Sequence, residues 1–202
     1  AALFPEGTAH DEAHPIRFRT GPMRTVLAAA AIAHVEERPL PHLVPVGLHF
    51  RVRHHFRTDA HVEYSEPIPV KLDDIPEDLL TAVKQNDWSE PPSDAVTALR
   101  DALTPTLRRL TPDAVDWSER RALHVLAHVR ARREARPLPD WRSEVMAARA
   151  ERDALRPEGD RPLDDIVPQR LTSPPLDAAH TVAERLEAHG LDGRDLNHEG
   201  LG

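Results

Sequence analysis

The sequence predicts the α/β fold class, with a short α/β unit over residues 1–70 followed by a mainly α-helical region. Three observations carry this. An apolar lead-in, an Ala-rich helical run and two β-rich runs succeed one another in the first seventy residues, giving the order strand, loop, helix, strand, strand. Beyond about Lys71, prolines punctuate several amphipathic helical segments and no convincing strand follows. Aromatic content is only 4%, so the cores are expected to be built from Ala, Val and Leu.

The elements follow in order. Ala1-Ala2-Leu3-Phe4 reads as the end of a buried strand, which Pro5 and Gly7 stop around the carboxylate of Glu6. A strand end that hands a carboxylate to a turn is a common way to build a site in α/β sheets, and the plain alternative is a surface β-turn. Ala9 to Arg19 is a polar loop. Thr20-Gly21-Pro22 starts a helix that runs to Glu37 and is ended by Pro39 and Pro41. Leu43 to Phe50 is expected as a buried strand with Pro45 near its edge or end, and Ala60 to Tyr64 as another strand, closing with Glu66-Pro67-Ile68-Pro69-Val70.

In the second region Ser93 caps a helix whose stripe is Val96, Leu99, Leu103, Leu107 and Leu110, and Pro105 should kink or divide it. A second helix runs from about Trp117 to Arg133 and buries Ala122, Leu126 and Val129. Asp140 caps a third through about Leu155. Leu176, Ala179, Val182 and Leu186 mark a fourth, which ends at Gly190. The proline-rich stretch from Pro157 to Pro175 reads as a linker. The expected organisation is therefore 1–70, a helical extension over 71–156, a linker over 157–175, and a C-terminal helix and tail over 176–202.

Composition narrows the function classes. The formal charge of −8 argues against nucleic acid as a main partner. Cysteine is absent, which excludes disulfides and thiolate metal sites and suits a reducing compartment. Lys71 and Lys84 are the only lysines, so nearly all positive charge is guanidinium. The longest apolar run, Val26 to Ala33, is far shorter than the roughly 20 residues that cross a bilayer. The chain opens on Ala without a signal peptide, and is expected to be a fragment or a processed product.

Phe4-Pro5-Glu6-Gly7-Thr8, then Phe18-Arg19-Thr20-Gly21, then Val44-Pro45-Val46-Gly47 resemble, in this order and spacing, the third and fourth sequence blocks of the glycerolipid acyltransferases, the group that includes lysophosphatidate and glycerol-3-phosphate acyltransferases. Glu66-Pro67-Ile68 resembles the Gly-x-Pro-Ile ending often seen after the last strand of that domain. The resemblance covers residues 1–70 and implies the C-terminal part of an acyltransferase α/β domain. It implies transfer of a fatty acyl group from a thioester, acyl-CoA or acyl carrier protein, to a glycerophosphate or lysophospholipid hydroxyl. No cofactor beyond that co-substrate is implied, and the expected location is cytoplasmic, peripheral to a membrane.

The same resemblance implies substrate-binding roles for Phe4, Pro5, Glu6, Gly7, Thr8, Arg19, Gly21, Val44, Pro45 and Gly47. Arg19 stands where the family is usually basic, and it flanks the helix start with Arg17 and Arg24. Glu6 would orient acceptor hydroxyls or a basic phosphate ligand, and Gly7 lets backbone approach the ligand. Val44-Pro45-Val46 would shape the pocket or acyl tunnel. In the family the general base is a His separated from an Asp by four intervening residues, in a block well upstream of Phe-Pro-Glu-Gly. No catalytic residue is therefore expected within this chain, which should be inactive alone. The literal match His54…Asp59 follows the fourth block instead and is taken as coincidence. One departure bears on the acceptor. Ala9 and His10 stand where the family continues with Arg-Ser, which leaves two readings, that His10 partly substitutes when protonated or that the acceptor differs from a simple lysophosphatidate, and Arg19 is expected to carry more of the anion contact.

Two other readings come from the residues. His10 and His14, at i, i+4 with Asp11 and Glu12 between, superficially resemble a zinc hydrolase helix, although Glu does not follow the first His and Pro15 disfavours a helix, so no metal site is expected. Arg120, Arg121, Arg130, Arg132, Arg133 and Arg136 form a basic stretch suited to an anionic membrane surface or a protein-binding module, or simply to a solvated helix face.

Overall fold

The computed structural model describes residues 1–52, 55–156 and 161–197. Six α-helices account for nearly half of the described residues: α1 (Gly21–Val35), α2 (Glu77–Lys84), α3 (Ser93–Arg109), α4 (Trp117–Arg133), α5 (Trp141–Leu155) and α6 (Pro174–Ala188). The strands are short. β1 (His42–Leu43) pairs antiparallel with β4 (Ile68–Pro69), and β2 (Val46–Phe50) pairs with β3 (Ala60–Tyr64) in a hairpin. The chain is thus a mixed helix and strand protein in which helices dominate.

Contacts divide the chain into two units whose boundaries do not follow sequence order. The first takes residues 1–11, 15–47 and 63–110; the second takes 12–14, 48–62 and 111–202. In the first unit α1 presents Met23, Val26, Leu27, Ala30 and Ala31, the i, i+3, i+4 stripe of a helix buried on one side. Against it pack Val70, Ile75, Leu79 of α2, and Val96 and Leu103 of α3. Leu27 and Val96 are fully buried. Pro105 lies inside α3 without dividing it.

The second unit is centred on α4, which packs on α5 and α6. Ala122, Leu123, Val125, Leu126 and Ala127 meet Ala148 of α5, Leu171, and Leu176, Ala179 and Ala183 of α6. The expected Asp140 cap is realised here, whereas the expected Ser93 cap of α3 is not, because Pro92 holds the cap position and Ser93 lies in the first turn. Asp116 accepts from Glu119 N, Asp140 from Ser143 N, and Ser173 from Leu176 N, each satisfying an otherwise unpaired first-turn donor.

Several expectations are corrected. Residues 1–4 form no strand, and Phe4 is 73% exposed, because no neighbouring strand is available to pair them. The expected strand over Leu43 to Phe50 breaks at Val44-Pro45 into β1 and β2, since Pro45 lacks the N–H that a continuous ladder requires. It is not buried throughout, because β2 alternates exposed and buried residues. Val129 is exposed, so α4 turns Val125 and His128 inward instead. Val182 lies at the edge of the α6 stripe and Ala183 takes the buried place. Helix α2 was not among the expected helices; it is eight residues long, with Glu77 and Asp78 in its first turn and Lys84 in its last.

Four helices end in the same way. Arg38 N reaches Ala33 O, Asp87 N reaches Ala82 O, Arg136 N reaches Ala131 O and Leu191 N reaches Leu186 O, the six-to-one bonds of a Schellman ending. The left-handed residue before each donor is Glu37 (φ 55°), Asn86 (φ 55°), Ala135 (φ 51°) and Gly190 (φ 68°). Only the last is glycine, and a β-carbon in this region costs roughly 1–2 kcal/mol. Ala135→Gly, exposed and at the end of α4, is therefore expected to raise the stability of the chain by about 1 kcal/mol. A urea titration in which Ala135→Gly unfolds at the same or lower midpoint would contradict this account of the helix end.

Candidate functional site

Glu6 sits in a turn that the chain closes twice. Gly7 N donates to Phe4 O at 3.1 Å, with Gly7 at φ 69°, where glycine alone is unstrained. Arg19 N donates to Pro5 O at 2.6 Å. Glu6 Oε1 accepts from Ile16 N at 3.0 Å and meets His10 Nε2 at 2.9 Å. A β-carbon on Gly7 would stand 3.1 Å from Arg19 Cγ, so the missing side chain is what lets the Arg19 stem lie on the turn.

The blocks Phe4–Thr8 and Arg19–Gly21 are thereby brought together. Arg19 is exposed, and among the described residues no carboxylate pairs with its guanidinium. Gly21 opens α1 two residues later. That helix end has no side-chain cap from Thr20 and no acidic residue in its first turn, so its N–H groups and positive dipole end are unopposed by a side chain of the cap. Arg24 pairs with Glu90, and Arg17 is exposed. Thr8 turns its hydroxyl to Ala9 O at 3.3 Å.

Val44, Pro45 and Gly47 belong to the strand region. Val44 is exposed while Pro45 and Gly47 are buried, and Pro45 O accepts from Ser65 N at 3.0 Å. None of their hydrogen bonds runs to the Phe4–Thr8 turn.

The histidines separate. Residues 10–14 are not helical, His10 engages Glu6, and the buried His14 places Nδ1 3.2 Å from Ala114 O. Among the described residues no three His, Asp or Glu side chains converge to hold a metal ion. His54 lies outside the described residues. Its sequence companion Asp59 is held by Arg194 at 2.8 Å and Arg51 at 3.0 Å, hydrogen bonds that keep its carboxyl below the ordinary range. The basic stretch of α4 is largely spent on internal partners: Arg120 on Phe50 O, Arg121 on Glu187, Arg130 on Glu151, Arg132 on Leu196 O, and Arg136 on Glu134.

In the second unit a buried charge cluster escaped sequence reasoning. Glu144 on α5 is 2% exposed. Its carboxylate takes Arg51 Nη2 at 2.5 Å and His128 Nε2 at 3.2 Å. Arg51 also sends Nε to Asp59 and Nη1 to Asp192 at 2.9 Å, and lies 4.4 Å over the Trp141 ring. His124 stacks on the same Trp141 side chain, with ring centroids 5.0 Å apart, and burial and then the Arg120 charge push its imidazole well below its usual value, so it stays neutral. A signal for the cluster did exist. Trp141, Glu144, Val145, Ala148 and Arg152 share the buried stripe of α5, and a carboxylate on an apolar stripe requires a partner.

Burial alone would raise the Glu144 carboxyl; hydrogen bonds from His128 and Arg51, and the charges of both, outweigh it and hold the group at about 2 against an ordinary 4.5. A depressed carboxyl contributes stability that is fully present above its unfolded value and lost as pH falls through its folded one. The wild-type chain is therefore expected to lose stability between about 4.5 and 2, and Glu144→Gln, destabilised at neutral pH, is expected to show a shallower decline there. Denaturant titrations across that range check this; parallel curves for the two proteins would remove Glu144 from the account.

Comparison with known proteins places a similarity on part of the chain. Over 117 residues it is 27% identical to glycerol-3-phosphate O-acyltransferase 1 of Saccharomyces cerevisiae and 29% identical to glycerol-3-phosphate O-acyltransferase 2 of the same organism. Each match takes in 57% of this chain and 14% of the relative. The chain thus spans a small part of the length of the curated relatives it matches. No protein-family model matches it. No solved structure matches it.

Proposed function

We propose that this chain carries the acceptor-binding part of a glycerolipid O-acyltransferase. The reaction moves a fatty acyl group from acyl-CoA or acyl carrier protein to a hydroxyl of a glycerophosphate or lysophospholipid, at the cytoplasmic face of a membrane. The acceptor oxygen forms the new ester bond as the carbon–sulfur bond breaks, and the hydroxyl proton passes through a base to the departing thiolate. That base is not assigned to a residue of this chain, and the chain alone is proposed to be inactive.

The observation that carries the reading is the seating of Arg19 on the Gly7 turn, joined by the Arg19 N to Pro5 O bond. Arg19, whose guanidinium has no carboxylate partner among the described residues, lies two residues before the start of α1, which has no side-chain cap, and a phosphate would be served by both, through charge-assisted hydrogen bonds and the helix dipole. Glu6 spends Oε1 on Ile16 N and His10, which fixes the carboxylate, and Oε2 has no hydrogen bond among the described residues. We assign Oε2 to an acceptor hydroxyl. Phe4, Pro5, Gly7, Thr8 and Gly21 shape this turn and helix start, while Val44, Pro45 and Gly47 serve the acyl side. The partial similarity to two glycerol-3-phosphate O-acyltransferases supports the same reaction class.

Arg19→Ala, in an active form of the polypeptide that includes this chain, is expected to raise the KM for glycerol 3-phosphate about ten- to a hundredfold with kcat little changed, the signature of lost ground-state binding. Arg17→Ala serves as the control, and Arg19→Lys is expected to recover part of the loss. A KM unmoved by Arg19→Ala ends the assignment. Acyl transfer at full rate by the 202-residue chain by itself would refute its proposed inactivity.

A further inference from the structure

The β2–β3 hairpin is built inside out. Bonds from Arg51 N to Asp59 O and from Ser65 N to Pro45 O, both 3.0 Å, set an antiparallel register in which Val46 faces Tyr64, Leu48 faces Val62 and Phe50 faces Ala60. All six of these residues are exposed. The opposite face holds Gly47, His49, His61 and Glu63, with His49 stacked on His61 at 5.7 Å. An alternating strand ordinarily turns its apolar side chains inward and its polar ones to water.

The inversion is fixed by chemistry and not by slack. A one-residue slip would turn the apolar residues inward, but it would also remove Arg51 from Glu144, Asp192 and the Trp141 ring, and His49 O from the Trp141 indole N–H at 2.9 Å. The buried Glu144 would then lose its guanidinium. The apolar face therefore stays outward.

The composition of this surface selects what covers it. At the tip Phe56 is 88% exposed, with the Arg57 guanidinium 5.2 Å over its ring. Tyr64 is 69% exposed at the other end. In the sequence no acid falls between Phe50 and Asp59, and Arg57 at the tip is a local cation in a chain of net charge −8. Aliphatic side chains bordered by aromatics and arginine are the pattern of a surface that enters the headgroup boundary of a bilayer. Leu48, Phe50 and Val62 are each 40% exposed or more on this one face, the kind of apolar surface that marks an interaction site.

We propose that the outer face of the β2–β3 hairpin within the second unit, carrying Leu48, Phe50 and Val62 with Phe56 and Arg57 at its tip, is the surface by which this protein lies on an anionic lipid bilayer. It stands on the hairpin alone and is independent of the acyl-transfer reading: vesicle binding without catalysis leaves it intact, and catalysis without vesicle binding removes it alone.

The test is flotation of the chain with vesicles of phosphatidylcholine, or of phosphatidylcholine and phosphatidylglycerol in equal parts. Binding is expected to the mixed vesicles and to be much weaker to phosphatidylcholine alone. Phe56→Ser should weaken it about tenfold, and Leu48→Ser combined with Phe56→Ser should abolish it. Arg57→Glu should remove the preference for the anionic vesicles. All these positions are exposed, and circular dichroism of each variant establishes that it folds. No flotation of the wild-type chain, or flotation unchanged by Phe56→Ser, overturns the proposal. So does a doubling of mass by light scattering that Leu48→Ser abolishes without any vesicle binding, which would assign the face to a second copy.

Discussion

The Arg51 guanidinium is the interaction on which most of the second unit depends. Its three nitrogens go to three carboxylates from separate places in the sequence: Asp59 across the hairpin loop, Glu144 on α5 and Asp192 beyond α6. A planar fork with fixed donors achieves this where an ammonium would not. Glu144 is too buried to remain charged without it, and removing one partner of such a pair costs about 3–5 kcal/mol, much of it the penalty of the charge left behind. The cluster specifies an arrangement as much as it stabilises one. With Arg51 on its carboxylates and over Trp141, the hairpin has one permitted face toward the helices.

Arginine does similar work elsewhere in the unit. Asp113, buried and held at φ 45°, takes Arg156 at 2.6 Å and Arg161 at 3.0 Å, while Arg152 donates to Thr111 O and Pro112 O. A core built largely of Ala, Val and Leu offers few large apolar anchors, and multidentate guanidinium contacts supply the long-range fixing that aromatic side chains give in richer cores. The arginine stretch of α4 belongs to the same economy. Its side chains turn to Glu187, Glu151 and carbonyls of the second unit, which leaves the helix with much less free positive charge than its sequence suggests.

What was legible in the sequence was whatever is decided locally. The start of α1 at Gly21, the bounds of α4, the Asp140 cap and the Gly190 stop all rest on capping and periodicity within a turn or two, and they hold. Elements that need a distant partner were not legible. Four apolar residues before Pro5 look like a strand end, yet a strand exists only where another pairs with it. Val129 and Ala183 differ from expectation by one position in a stripe, which is the resolution of a hydrophobic pattern. Of the candidate site, the order of the Phe4 and Arg19 blocks was visible and their meeting was not, because it runs through a backbone bond and an absent β-carbon at Gly7. The buried Glu144, His128 and Arg51 were missed for the opposite reason: charge reads as exposure until a partner far along the chain is known.

The hairpin also imposes a schedule on synthesis. Its strands are complete by residue 64, but Trp141 and Glu144 emerge some eighty residues later and Asp192 later still. At roughly 5–20 residues per second, that is several seconds or more in which Arg51 has Asp59 but neither Glu144 nor Asp192, and the His49 carbonyl lacks the Trp141 indole. During that interval neither face of the hairpin is yet selected as the inner one. The folding of the second unit is thus gated by translation of its last helix and not by the speed at which its strands associate.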